Sequence, residues 1–121
     1  PEVSATRDAD RIIGLLEAAG IKSPRIVVNR LRIDMVKEKN MLSVEDILDI
    51  LAVKLLGVVP DDETVVISTN KGEPLVYKGD SLAAKAFKNI ASRIEGVEVP
   101  LLDLDVKMSI LEKIKFVFKR W

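Results

Sequence analysis

The sequence contains no cysteine and no histidine, and only 4% of its residues are aromatic. Without cysteine there are no disulfides and no thiol chemistry, and without histidine there is no imidazole base. The absence of both also excludes the usual zinc ligands, so that only oxygen atoms could bind a metal. With 48% hydrophobic residues but few aromatic rings, the core must consist mainly of Ile, Leu and Val side chains.

Long apolar runs and clustered glycines are also missing. No apolar run approaches the roughly 18 residues that a membrane-spanning helix needs. The 6 glycines are scattered and no Gly-Lys-Ser or Gly-Lys-Thr occurs, so the chain has no loop that could bind nucleotide phosphates. We therefore predict that the chain is not a self-contained enzyme, and that it belongs to a larger fold whose front precedes Pro1.

The residues that are present follow the pattern of an α/β fold. Apolar spacing predicts a helix over residues 6–19, closed by Gly20, and Ser43 is placed to cap a second helix. The runs RIVVNR and LLGVVP are too apolar to face water, which predicts two strands of a parallel sheet covered by helices on both faces. DDETVVISTNKG fits a strand or a short helix, of which we favour the helix, and a final helix is predicted over 81–95.

The same spacing predicts which side chains the helices bury. An apolar stripe along each helix should face the sheet. The predicted inward positions are Ala9, Ile12, Ile13, Leu16 and Ala19 in the first helix, Val44, Ile47, Leu48 and Leu51 in the second, and Leu82, Ala86, Ile90 and Ile94 in the last.

Polar residues follow both predicted strands. Asn29 and Arg30 end the first strand, and Pro60, Asp61 and Asp62 end the second. Ligands of open α/β sheets bind beyond the carboxyl ends of the strands. An amide offers a donor and an acceptor side by side, as an adenine edge requires, and a proline ring can pack flat against a base. The alternative is that Asn29 and Asp61 only cap turns, and the sequence leaves both open.

The last residues form a basic amphipathic segment. Residues 1–106 have a net charge of −4, whereas residues 107–121 have a net charge of +4. On a helical wheel the large apolar residues fall within an arc of about 120°, and most of the cations border it. The apolar stripe is Ile110, Leu111, Ile114, Val117, Phe118 and Trp121, and the cations are Lys113, Lys115, Lys119 and Arg120.

We predict that this segment binds an anionic membrane surface. Its charges are almost all of one sign, and it contains the only tryptophan, which suits the interface between water and lipid. A helix packed on its own domain and a basic peptide for another partner are the alternatives. DNA is disfavoured, because nucleic acid needs charge but not an apolar stripe. A helix this short is marginal in water, so we expect it to fold on lipid and to gain affinity by dimerisation.

Four stretches of the sequence resemble a known family. PEVSATRDADRIIGLLE, IVVNRLRIDMVKEKNMLSVEDILDIL, LLGVVPDDETVVISTNKGEPLV and EVPLLDLD, with the basic terminus that follows, are similar to the C-terminal half of the MinD family of division-site-selecting ATPases. The resemblance implies an α/β fold, the C-terminal portion of a parallel-sheet P-loop NTPase-like domain in the ParA/MinD superfamily. It implies an ATPase-domain half at 1–96, a linker at 97–106 and a membrane-targeting amphipathic helix at 107–121.

The resemblance also implies a function. Members of this family dimerise with ATP and Mg²⁺, attach peripherally to the inner membrane, recruit the division inhibitor MinC and are released when MinE stimulates hydrolysis. The location implied is the cytoplasmic face of a bacterial inner membrane, or the stroma or inner envelope of a plastid. The implied adenine-binding residues are Asn29, Arg30, Pro60, Asp61 and Asp62, and the implied MinC- and MinE-binding face includes Arg7, Asp8, Asp10 and Arg11.

The chain departs from the family at its catalytic parts. The family's phosphate loop and both switch regions are absent from these 121 residues, so we expect no ATP hydrolysis by this chain alone and name no catalytic residue. A stand-alone membrane adaptor without nucleotide is the alternative from another class. A DNA-partition ATPase is a third, which the acidic body and the lipid-like terminus disfavour.

Overall fold

The structure is a computed structural model that describes residues 1–78, 81–102 and 104. It consists of helices arranged around a two-stranded parallel sheet, as the sequence predicts. The predicted terminal helix over 107–121 lies outside the described residues. The helices are α1 (Val3–Ala18), α2 (Ile33–Lys37), α3 (Val44–Leu51), α4 (Glu63–Lys71) and α5 (Leu82–Ile94), the strands are β1 (Arg25–Leu31) and β2 (Lys54–Pro60), and a 3₁₀ turn spans Leu75–Lys78.

The sequence stretch DDETVVISTNKG forms a helix, which confirms the favoured alternative. Asp62 caps the N-terminus of α4 with its side chain, and Gly72 ends the helix in the left-handed conformation with φ of 65°. Glycine has no Cβ to oppose that conformation, so this end is the usual one for a helix. The short helix α2 and the 3₁₀ turn were not predicted, because four or five residues are too few for a visible helical period.

The predicted cap at Ser43 is confirmed. The Ser43 hydroxyl accepts a hydrogen bond from the Asp46 N–H at 3.1 Å, and the Asp46 carboxylate accepts one from the Ser43 N–H at 3.1 Å. This reciprocal pair satisfies two backbone donors that the first turn of α3 leaves without partners. The cap therefore fixes where α3, the second helix of the crossover from β1 to β2, begins.

The sheet contains two irregularities of opposite sense. Ile26 lies opposite Leu55, and Val27 lies opposite Gly57, so β2 has one extra residue at Leu56. Further along, Val28 lies opposite Val58 and Leu31 opposite Pro60, so β1 has one extra residue between them. Each extra residue bends its strand and turns neighbouring side chains to new directions.

Two apolar clusters pack around the sheet. The first joins α1 and α3 to both strands, and Leu48 and Leu55 at its centre are almost fully buried. The second joins α5 to β2 through Val59, Ala86 and Ile90. Apolar side chains of both clusters are aliphatic, as the scarcity of aromatic residues predicts.

Helix α5 packs closely on β2 because Gly57 has no side chain. A Cβ at that position would lie 2.3 Å from Ile90 Cγ1 and 3.3 Å from a terminal nitrogen of Arg93. Ala86 and Ile90 are buried as predicted, but Leu82 and Ile94 are exposed. Positions four residues apart drift around a helix of 3.6 residues per turn, so the first and last residues of the predicted stripe turn away from β2. Ala83 and Arg93 are buried at the two ends of the helix instead.

Other parts of the burial pattern also differ from the prediction. In α1 Ile13 is buried, but Ile12 and Ala19 are exposed, because α3 covers only a narrow face of this helix. In β1 Val27 is 41% exposed, so the described helices do not cover both faces of that strand.

Among the described residues, no helix has both the length and the apolar content to span a bilayer.

The contact at Gly57 gives the first testable prediction. Gly57→Ala should lower the free energy of unfolding by about 1–3 kcal/mol, since the new methyl group forces Ile90 or the backbone to move. Gly14→Ala is the matched control, because nothing lies within 4 Å of its Cβ position in α1. That change should stabilise the protein by about 0.5–1 kcal/mol through helix propensity.

Urea unfolding of the intact protein measures both effects. In an Ile90→Ala background the change at Gly57 should cost much less, because the atom that it meets is gone. Equal costs in the two backgrounds would show that α5 does not pack on Gly57 as described.

Candidate nucleotide site at the strand ends

The extra residue in β1 shapes the first part of the candidate site. Arg30 has φ of 56°, a left-handed conformation that non-glycine residues adopt only occasionally and that recurs at functional sites. The Asn29 Oδ1 accepts a hydrogen bond from the Arg30 N–H at 3.0 Å, which supports this turn of the backbone. Both side chains are exposed at the carboxyl end of the strand, as the sequence predicts.

The end of β2 lies directly beside this turn. The Asp61 N–H donates to the Leu31 carbonyl at 2.9 Å, and Arg30 Nε lies 3.6 Å from Asp61 Oδ1. The side chains of this ion pair are 80% and 40% exposed, so it contributes little to stability. Its charged groups therefore remain accessible to a ligand, and the structure brings Asn29, Arg30 and Asp61 together.

Asp62 has a structural role that differs from that of its neighbour. Its Oδ1 accepts hydrogen bonds from the Thr64 N–H at 2.9 Å and from the Thr64 hydroxyl at 2.5 Å. Its Oδ2 accepts one from the Ala83 N–H at 3.2 Å. The hydrogen bond from the Thr64 hydroxyl lowers the pKa of Asp62 most, and the Thr64 and Ala83 N–H groups lower it further. The carboxylate thus joins the start of α4 to the start of α5.

An open groove of about 1090 Å³ lies against the strand ends. Asn29, Arg30 and Asp61 form part of its wall, and the start of α1 forms another part. The groove is at the upper end of the range of about 300–1,000 Å³ typical of small-molecule sites. Its apolar wall consists of Val3, Met35, Val36, Met41 and Leu42.

A smaller cavity of about 260 Å³ adjoins the same strand ends. Pro60 and Asp61 line it together with Leu82 of α5 and Leu104. Its size suits one flat ring system better than a whole nucleotide. Asp62 lines neither cavity, which agrees with its role as a helix cap.

Sequence reasoning missed Arg32. This side chain lines both cavities and donates a hydrogen bond from a terminal nitrogen to Asp34 Oδ2 at 2.7 Å. The Arg32 guanidinium lowers the pKa of Asp34, and the carboxylate in turn raises the pKa of Arg32. The alternation of arginines in NRLRID, just after a buried strand, was the available signal.

The predicted partner-binding residues lie on one helix. Arg7, Asp8, Asp10 and Arg11 are all exposed on α1, whereas Thr6 and Ile13 of the same helix are buried. Leu15 is 67% exposed and adjoins these charges on the helix surface. The face therefore combines charges of both signs with apolar area, but nothing in the geometry identifies what it binds.

The described residues offer no metal centre. No group of three or more acidic side chains among them is placed to bind a cation.

The chain is similar to proteins of known name. It is 59% identical over 104 residues to the septum site-determining protein MinD of Synechocystis, a match that covers 85% of this chain and 39% of that protein. It matches MinD in the solved MinC:MinD cell division protein complex of Aquifex aeolicus with a TM-score of 0.81 and 45% identity, over 84% of this chain and 42% of that one. No protein-family model matches the chain.

A third match contains a nucleotide. The septum site-determining protein MinD of Pyrococcus horikoshii, solved with Mg-ADP, has a TM-score of 0.69 and 29% identity over 78% of this chain and 38% of that one. Parallel strands with an open groove at their carboxyl ends, together with these matches, define the chain as part of a P-loop NTPase fold. Within that class it belongs to the MinD family, and it spans about two fifths of the length of these relatives.

The different roles of the two aspartates give a second prediction. Asp62→Ala should lower the free energy of unfolding by about 1–2 kcal/mol, since it removes a helix cap and leaves the Ala83 N–H without its acceptor. Asp61→Ala is the matched control and should change stability by no more than about 0.5 kcal/mol.

The same pair has a defined pH dependence. The folded-state pKa of Asp62 lies below the ordinary value of 3.8, so its contribution is fully present at higher pH and is lost as the pH falls through the folded-state pKa. The difference in stability between wild type and Asp62→Ala should therefore be constant near neutrality and shrink below pH 3.8. Urea unfolding between pH 7 and acid tests this, and a difference independent of pH would contradict the cap.

Proposed function

We propose that the chain is a working part of a septum site-determining ATPase of the MinD type, which acts in the selection of the division site. The observation that supports this most is the 59% identity to the MinD protein of Synechocystis over 104 residues. The arrangement at the strand ends adds to it, because the residues expected around adenine lie at one edge of the sheet. The complete protein would bind ATP with Mg²⁺ and dimerise.

In this proposal the chain holds the base of the nucleotide. Asn29 has a side-chain Nδ2 group that makes no hydrogen bond within the described residues, and its amide can pair with an adenine edge. Pro60 is largely buried and contributes to the wall of the smaller cavity, and Arg30 and Asp61 offer exposed charges beside it. The phosphates and Mg²⁺ would be bound by other parts of the protein, because the described residues lack both a phosphate loop and a metal-ligand set.

The partners proposed are division proteins. A MinD structure to which this chain is similar was solved as a MinC:MinD complex, which supports a MinC-like partner. We propose that the exposed face of α1 with Arg7, Asp8, Asp10 and Arg11 takes part in binding MinC and a MinE-like protein that triggers release. Charges of both signs next to apolar area suit a partner helix better than nucleic acid.

The basic terminus would attach the protein to the membrane. Its stripe from Ile110 to Trp121 and its bordering cations fit a helix that lies in the interface of an anionic bilayer. The location proposed is therefore the cytoplasmic face of the bacterial inner membrane, or the corresponding stromal surface of a plastid. Since a single short anchor binds weakly, ATP-dependent dimerisation would control attachment by avidity.

The nucleotide part of the proposal leads to a third prediction. Asn29→Asp keeps the oxygen that accepts from the Arg30 N–H but replaces the amide donor by a negative oxygen. We expect the affinity of the full-length protein for ATP to fall about tenfold or more, because an acceptor atom of the adenine edge then faces a carboxylate oxygen instead of the amide donor.

Binding of a fluorescent ATP analogue measures this effect. Asn70→Asp, an exposed position on α4, is the control and should bind as wild type does. If Asn29→Asp binds ATP as well as the control, adenine does not contact Asn29.

The membrane part leads to a fourth prediction. Leu111→Glu or Phe118→Glu should abolish ATP-dependent co-sedimentation of the full-length protein with anionic liposomes, because each places a charge in the apolar stripe. Phe116→Glu is the matched control, since Phe116 lies on the opposite side of the helical wheel. Binding by all three variants would contradict the membrane proposal.

Salt and nucleotide provide further readouts. Raising the ionic strength should weaken binding, because Lys113, Lys115, Lys119 and Arg120 contribute electrostatically. Binding that does not depend on ATP would instead favour the stand-alone adaptor.

A further inference from the structure

Arg93 is buried although it carries a charge. Only 7% of the residue is exposed, and burial lowers the pKa of its guanidinium. Its Nε and one terminal nitrogen donate to the Val99 carbonyl at 3.1 and 3.0 Å, and that terminal nitrogen also donates to the Pro100 carbonyl at 3.1 Å. The other terminal nitrogen donates to the Leu56 carbonyl at 3.1 Å. The guanidinium thus joins residues 99–100 to the irregular point of β2.

These bonds hold a segment that has little regular structure of its own. Residues 97–102 form no helix or strand, and the Val97 N–H donates to the Ser92 carbonyl at 3.0 Å. Burying a cation is costly unless its donors are satisfied. The planar fork of arginine can satisfy several carbonyls at once, which lysine cannot do. The position of 99–100 is therefore set by the side chain of Arg93.

The leucines that follow seat the segment against the sheet. Leu101 packs against the first apolar cluster and Leu102 against the second. Leu104 packs against the first cluster and lines the cavity of about 260 Å³. Pro60 and Asp61, two of the residues proposed to contact adenine, line that same cavity. A base bound there would meet the segment at Leu104.

We propose that Arg93 is a positioning residue that seats residues 99–102 beside the strand ends, so that Leu104 forms part of the pocket for the nucleotide base. The contact with a base rests on the proposed function, whereas the seating of the segment by Arg93 rests on the geometry alone. The basic terminus begins only a few residues after Leu104.

Amide hydrogen exchange of the full-length protein with and without Mg-ATP tests the proposal. In the wild type, ATP should slow exchange in the peptide covering 97–104 at least about fivefold, because a base on Leu104 opposes local opening. Residues 11–18 of α1 line neither cavity and should not change. No variant is needed for this comparison, so it does not depend on whether a mutant folds.

Two variants separate the parts of the inference. Arg93→Lys keeps the charge but loses the fork, and should speed exchange in 97–104 at least about tenfold without nucleotide while α3 remains protected. Leu104→Ala should weaken ATP binding several-fold while Ile94→Ala, at an exposed residue of α5, leaves it unchanged. If Arg93 only stabilised the fold and Leu104 did not contact the base, ATP would not change exchange in the 97–104 peptide of the wild type.

The outcomes that overturn the inference differ from those that overturn the function. If ATP slows exchange at 26–31 and 58–62 but not at 97–104, the nucleotide site stands and the role of Leu104 is wrong. If Arg93→Lys leaves 97–104 protected, Arg93 does not seat the segment. If ATP alters exchange nowhere in the chain, the proposed nucleotide function fails, and the contact at Leu104 fails with it.

Discussion

The close approach of α5 to β2 at Gly57 is the contact on which the rest of the described structure depends. Only a residue without a side chain lets Ile90 and Arg93 come within contact distance of the strand backbone. Ile90 then completes the second apolar cluster with Val59. From the same helix face, Arg93 reaches the Leu56 carbonyl and the carbonyls of residues 99–100. Any side chain at 57 would therefore disturb the core and the seating of the following segment together.

The two irregularities of the sheet act as a pair. One adds a residue to β2 and the other adds one to β1, so their effects on the register cancel. The register is therefore the same at both ends of the sheet, where Arg25 lies opposite Lys54 and Leu31 lies opposite Pro60. The strands therefore end side by side, and Asp61 can bond to Leu31 next to Arg30. Each irregularity also has a local use. The one at Leu56 lies where Arg93 finds its acceptor, and the one near Arg30 turns two polar side chains outward.

Much of this architecture follows from local sequence signals, and the rest depends on packing that local signals do not contain. Ser43 predicted a cap because hydroxyl caps are a property of the chain itself, and the strand ends predicted where Asn29 and Asp61 meet. The buried position of Arg93 could not be predicted, because it depends on a glycine 36 residues earlier and on carbonyls of an irregular segment. The exposure of Ile12 was missed for a related reason. The spacing of apolar residues defines a stripe along α1, but how much of that stripe is buried depends on how much of it α3 covers.

Identical residue types have different roles here according to their burial. Asp62 has its oxygens occupied by backbone and hydroxyl donors and fixes two helices, whereas the exposed Asp61 lines both cavities. Arg93 is buried and positions backbone, whereas Arg30 is exposed beside the groove. In each pair the less exposed residue fixes the frame and the more exposed one is available for chemistry. Asp62 and Arg93 both hold elements that border the same cavity. A ligand there would meet side chains that are already positioned, so little of its binding free energy would be lost in ordering the site. Leu104, which follows the carbonyls held by Arg93, lines this cavity as well.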